Sequence, residues 1–237
     1  MFPIRDEHPA ARLPLAIAVL VVACALVFLW QVTVDAAVAA RAAFALGMIP
    51  AVLLGHAELA RELVLVPPWV TPITSMFLHG GVLHLLGNLL FLWVFGNNVG
   101  AAMGQGRFLV FYFACGIIAA LAHAWSEPLS EVPMVGASGA VSGVLGAYLL
   151  LFPRSRVLVV VPLVILPWTL YLPAVAVLGF WFSVQVIAGI LANEDVGGVA
   201  WVAHTGGFVA GLLLVALFRR PGVPLLSRPG HRPPDDC

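Results

Sequence analysis

Six long apolar stretches divide this chain: Leu13–Val34, Leu83–Met103, Phe108–Trp125, Ala137–Phe152, Tyr171–Leu191 and Ala200–Phe218. A bilayer core takes ~20 mostly apolar residues per helix, with ~17–25 tolerated, so the pattern predicts six membrane-spanning helices. Turn formers and charges punctuate them: Gly104-Gln105-Gly106-Arg107, Ser126-Glu127-Pro128, Pro153-Arg154-Ser155-Arg156 and Asn193-Glu194-Asp195. The fourth stretch is short and glycine-rich, a composition suited to enclosure by other helices rather than to lipid contact. The first is too long for a signal-peptide core of ~7–15 residues and reads as a retained span.

Composition makes the same point in another way. Hydrophobic side chains account for 62% of the 237 residues and charged ones for only 9%, against roughly 25% charged in an ordinary soluble domain. With a mean hydropathy of +1.06, such a chain cannot clothe itself for water. That excludes a soluble enzyme, a nucleic-acid binder and a disordered scaffold, and it makes the lipid bilayer the first partner. The length fits one domain. Cys24, Cys115 and Cys237 are too few and too scattered for a disulfide framework or a metal knot.

One further stretch, Ala36–Gly55, is apolar enough to be weighed as a seventh span, and the net charge of zero hides the asymmetry that decides it. With six spans and a cytoplasmic N-terminus, nine arginines (5, 12, 107, 154, 156, 219, 220, 228 and 232) lie inside, and only Arg41 and Arg61 lie outside. A seventh span would move most of the inside set out, against the positive-inside rule, and would put Arg41 mid-membrane at ~2.5–3.5 kcal/mol. Residues 35–82 are therefore expected to form a long first external loop associated with the outer leaflet. The expected layout is a cytoplasmic N-terminus (1–12), a six-helix membrane domain (13–218) and a disordered cytoplasmic tail (219–237).

In that topology spans two, four and six all begin at the external face, and each carries polar residues near its start. Span two opens with His79-Gly80-Gly81-Val82-Leu83-His84 and continues to Asn88; span four opens with Gly136-Ala137-Ser138-Gly139; span six carries Ala203-His204-Thr205-Gly206-Gly207. Intramembrane ionisable residues default to function. His84 and Asn88 share a helix face. Small-residue stripes (Ser138, Ser142 and Gly146 beside Gly139 and Gly143 on span four, Gly207 and Gly211 on span six) allow close packing that would place Ser138 against His204. A hydroxyl beside an imidazole is the minimal activated nucleophile. No Asp or Glu occurs within spans two, four or six, so a hydrolase here runs on a dyad. Asn88, His84 and the Ser138 backbone N–H could donate to an oxyanion. Each cluster alone has a packing explanation: His79 as a structural hydrogen bonder, His123 as an interfacial residue, and Trp93, Trp125, Trp168, Trp181 and Trp201 as interfacial or packing aromatics. A metal or haem site from His79, His84 and His204 is disfavoured, because the five-residue spacing of the first two is poor for one helix face. The three clusters at one depth favour a reactive pocket. Its water route is assigned to His79, Asn88, Ser142 and Thr205.

From about Pro72 to Leu217 these residues resemble the rhomboid family of intramembrane serine proteases, through His79-x4-His84-x3-Asn88, Gly136-x-Ser138-Gly139 and Ala203-His204-x2-Gly207-x3-Gly211. The resemblance implies an all-α, six-span bundle of the bacterial form. It implies Ser138 as nucleophile, His204 as general base, and His84, Asn88 and the Ser138 amide as oxyanion donors, with His79 in support. Gly136, Gly139, Gly207 and Gly211 are the packing glycines. It further implies cleavage of other proteins' transmembrane segments near the external boundary through an acyl-enzyme, with no metal or cofactor. Substrates would enter by way of the fifth span and the cap loop before it. The implied location is a bacterial inner membrane, with both termini cytoplasmic and the site opening outward; no oligomeric state is implied. The alternative is a catalytically silent relative that binds or escorts membrane helices. Three features depart from the family pattern. An acidic residue common after span two is replaced within Asn97-Asn98-Val99-Gly100-Ala101. Ser142 stands where some relatives stack a tyrosine on the base. A Trp-Arg pair of the first loop is absent.

Overall fold

The computed structural model describes residues 2–7, 15–162, 167–191 and 200–227. Its helices are α1 (Leu15–Thr33), α2 (Ala36–Leu46), α3 (Pro50–Leu53), α4 (Thr71–Thr74), α5 (Val82–Met103), α6 (Gln105–Ser126), α7 (Ser138–Leu151), α8 (Ala174–Leu191) and α9 (Trp201–Phe218). Among the described residues, α1, α5, α6, α8 and α9 are long and apolar enough to cross a membrane. Their large apolar side chains point outward as well as inward. On α1 the exposed set Leu15, Val19, Val22, Leu26 and Leu29 runs down one face at helical spacing, a surface that only lipid would solvate. The chain is a multi-pass, mainly helical membrane protein.

The fourth apolar stretch becomes α7, a helix of 14 residues, which at 1.5 Å per residue is about 21 Å long. It is too short to span a ~30 Å core and is the most enclosed helix, packed against α5, α6, α8 and α9. Glycine permits this. A Cβ on Gly207 would lie 2.1 Å from the Gly139 carbonyl oxygen, one on Gly211 1.9 Å from that of Gly143, and one on Gly146 2.2 Å from that of Phe208. The α7 and α9 backbones are thus in direct contact, as the small-residue stripes predict.

The first loop contains no additional span. Gly47, in extended conformation, ends α2 after 11 residues, and the chain continues through α3 and short 3-10 turns to α4.

Not anticipated from the sequence is a three-stranded antiparallel sheet, β1 (Phe2–Asp6), β2 (Arg156–Pro162) and β3 (Pro167–Pro173), in the order β1-β2-β3. Tyr171 to Pro173, expected within the fifth span, belong to β3, and the helix starts at Ala174. The β-branched run Val159-Val160-Val161 favours a strand, while Pro173, which has no N–H for a ladder or helix bond, marks the change of element. The sheet follows the C-terminal end of α7, opposite Ser138. The segment before the fifth span therefore cannot be the cap of the site mouth, which corrects that expectation. The Asn193-Glu194-Asp195 break lies outside the described residues.

Strand β1 supplies the carboxylate that the stretch after span two lacks. Asp6, 3% exposed, accepts from Asn98 Nδ2 at 2.6 Å and from the Tyr148 hydroxyl, tying β1 to α5 and α7. The expected disordered tail is ordered through Ser227: the Leu226 and Ser227 N–H groups donate to the carbonyls of Leu150 and Leu151. His8, Arg12, Arg228, His231, Arg232 and Cys237 lie outside the described residues.

Candidate active site

Ser138 is the first residue of α7 and His204 lies in the first turn of α9. The glycine contacts between the two helices fix their separation, and at the site end the result is a 2.8 Å contact between Ser138 Oγ and His204 Nε2. The serine N–H, at the start of a helix, is one of the donors that intrahelical bonding leaves unused, and it adds the positive end of the helix dipole.

Gly136 sits just before α7 at φ +121°, a conformation that L side chains rarely adopt. A Cβ there would meet His84 Cε1 at 2.6 Å, His84 Nε2 at 2.7 Å and Asn88 Nδ2 at 3.7 Å. Glycine is required both by the backbone and by the closeness of those side chains. His84 and Asn88, one helical turn apart on α5, therefore converge on the residues leading into Ser138. Asn88 is 7% exposed and its Nδ2 has no hydrogen-bond partner, an unusual state for a buried amide. It is a donor waiting for an acceptor. Gly80 N–H faces His84 Nδ1 at 3.5 Å, leaving Nε2 as the proton-bearing atom on the Gly136 side.

His79 supports this arrangement from behind. Its ring meets His84 edge-on, with centroids 5.3 Å apart, and its Nδ1 donates to the Phe77 carbonyl at 3.2 Å. Burial, with the neighbouring His84 adding to it, pushes the His79 imidazole down to about 4, despite the opposing Phe77 carbonyl. It is neutral at physiological pH. The Gln31 amide of α1 holds the His79 backbone in both directions, accepting from its N–H at 3.0 Å and donating to its carbonyl at 3.3 Å.

The orientation of His204 has an answer that the motifs did not contain. His204 Nδ1 lies 2.6 Å from Oε1 of Gln185, a buried residue of α8. Trp181 lies against the imidazole at 6.2 Å and 37°, and Trp201 meets it edge-on at 6.1 Å. These tryptophans flank the ring where no tyrosine follows the serine. A search for ionisable residues passes over the glutamines. The chain has three glutamines, and each bonds between elements: Gln31 to His79, Gln105 to the Ala16 N–H, and Gln185 to His204. An uncharged amide within an otherwise apolar span was the available signal.

One assignment changes. Ser142 and Thr205 do not offer their protons to a water route: their hydroxyls donate one turn back in their own helices, to Ser138 and Trp201 carbonyls. His123, near the end of α6, is 7% exposed, with Nδ1 3.9 Å from Glu127.

Chemically, the arrangement pairs a hydroxyl with a base and puts amide and imidazole donors alongside. Comparison with known proteins identifies the family. The profile of the Rhomboid domain matches residues 67–221, which include every residue of the cluster except Gln31. The chain is 33% identical over 149 residues to Rhomboid protein 1, mitochondrial, of Saccharomyces cerevisiae, covering 61% of this chain and 40% of that protein. It is 34% identical over 153 residues to Rhomboid protease GluP of Bacillus subtilis (65% and 27%), and 41% identical over 81 residues to Putative rhomboid protease YdcA of the same organism (34% and 40%). The chain thus spans less than half the length of these relatives. The domain match covers most of the sequence and all of the α5, α7 and α9 motifs, and this chain belongs to the rhomboid family.

Proposed function

We propose that the chain is an intramembrane serine endopeptidase that cleaves transmembrane segments of other membrane proteins by a Ser138–His204 dyad. The observation that carries this reading is the 2.8 Å contact between Ser138 Oγ and His204 Nε2 beside the unpartnered Asn88 amide. His204 takes the hydroxyl proton as Ser138 attacks the scissile carbonyl. Asn88, His84 and the Ser138 N–H receive the developing oxyanion, a contribution worth ~10²–10³ in rate per donor. His204 then returns the proton to the leaving amine, and water releases the acyl group by the same route in reverse. A peptide bond within a helix is shielded by its own hydrogen bonds, so substrates with Gly, Pro or other weak helix formers near the cleavage point are preferred. The site opens towards the external face of a bacterial inner membrane, with both termini cytoplasmic and the arginine-rich segments inside.

The test is cleavage of a single-span substrate in liposomes, together with labelling by a fluorophosphonate probe. Wild type cleaves and labels; Ser138→Ala and His204→Ala do neither while eluting as folded protein. Undiminished cleavage by Ser138→Ala, or absence of Ser138-dependent labelling in wild type, refutes the proposal; the second result favours a silent helix-binding relative.

A further inference from the structure

The base of the dyad has no carboxylate partner among the described residues, which leaves open what fixes its tautomer. A neutral imidazole carries one proton, and only the form protonated on Nδ1 presents a lone pair at Nε2 to the serine. The opposite tautomer points an N–H at Ser138 Oγ and cannot accept its proton. In other hydrolases a third group decides between the two.

We infer that Gln185 is a positioning residue which holds His204 in its reactive tautomer, through an amide oxygen that accepts the Nδ1 proton. The observations come from a different helix and a different side of the ring from those that define the dyad. Gln185 belongs to α8 and is 7% exposed, with Oε1 2.6 Å from His204 Nδ1. An amide oxygen can only accept, so this contact requires the proton on Nδ1. The Nε2 lone pair is then directed at Ser138 Oγ, 2.8 Å away. Other titratable side chains near His204 are the imidazoles of His84 on α5 and His123 on α6, and neither is bonded to it in the structure. Trp181 and Trp201 confine the plane of the ring, but an aromatic face cannot choose which nitrogen carries the proton. Gln185 also explains how the site works without an acid: a carboxylate here would have to be stripped of water with its charge, whereas an amide accepts the same proton without a charge. Because Gln185 rides on α8, any movement of that helix away from α9 would release the base.

This inference rests on the dyad reading for its consequence in rate, but not for its structural content, and the experiment separates the two. In ¹⁵N-histidine-labelled full-length protein in detergent micelles, the His204 resonances, identified by their loss in His204→Ala, should show a protonated Nδ1 and a bare Nε2. A wild-type His204 protonated on Nε2 overturns the inference, whatever happens to hydrolysis. Gln185→Leu and Gln185→Met remove the acceptor at similar volume. They should move population to the Nε2–H form, lower kcat about tenfold to a hundredfold and leave KM within about twofold. Gln185→Glu retains an acceptor oxygen and should restore the Nδ1-protonated form. An unchanged tautomer in the Leu and Met variants, or a fall in rate carried by KM, would show that Gln185 only packs. If Ser138→Ala still cleaves while the tautomer responds as stated, the protease reading has failed and the Gln185 inference stands.

Discussion

Replacing Gly207 with alanine should inactivate the site from one turn away, and the size of the effect can be worked from the helix contact. An added Cβ would stand 2.1 Å from the Gly139 carbonyl oxygen, where ordinary contact begins near 3.4 Å. The obstacle is backbone, with no flexible side chain to swing aside, so α9 must withdraw from α7 by about 1.3 Å along that direction. The same displacement applied between Ser138 Oγ and His204 Nε2, now 2.8 Å apart, leaves them about 4 Å apart. Proton transfer needs ~2.6–3.2 Å, and a misplacement of ~1 Å costs on the order of a hundredfold. Overpacking a tight contact also costs ~1–3 kcal/mol of stability. The assay is turnover of a single-span substrate in liposomes, normalised to folded protein, with thermal unfolding in detergent alongside. Gly106→Ala is the control, since a Cβ there meets nothing within 4 Å and the residue lies at the far end of α6. Gly207→Ala with wild-type turnover and an unchanged unfolding midpoint would refute the claim that glycine packing sets the nucleophile–base distance.

Asn88→Leu should lower kcat by ~10²–10³ without lowering the unfolding midpoint, because the amide nitrogen it removes has no protein partner to lose; a loss of stability with activity intact would reverse the assignment. Asp6→Ala leaves the buried Asn98 and Tyr148 donors without their acceptor, so it should cost ~1–3 kcal/mol and lower the unfolding midpoint by several degrees. Its turnover should be preserved below that midpoint, since the site lies at the other end of α7, and an unmoved midpoint would remove β1 from the account of stability.

The spans, the short enclosed helix and the approach of Ser138 to His204 were legible because their causes are local. Length and hydropathy decide which segments leave water. Glycines at helical spacing decide which faces approach, and polar residues at a common depth must share a pocket. The sheet was hidden because β2 and β3 are largely apolar and resemble membrane helix in composition, and because β1 and β2 are separated by most of the chain. The same distance concealed Asp6, the buried carboxylate that accepts from Asn98. Gln185 is the sharpest case. An amide in an apolar helix is conspicuous, but by itself it is compatible with any face of that helix. Only the packing of α8 on α9, through contacts such as Phe182 stacked on Phe208 at 4.5 Å, turns it towards His204. By itself the sequence determined the solvent and most of the helices, and singled out Ser138 and His204 as the candidate pair. Tertiary structure decided which nitrogen of the base faces the serine, because hydrogen-bond direction depends on the relative placement of helices that no local pattern encodes.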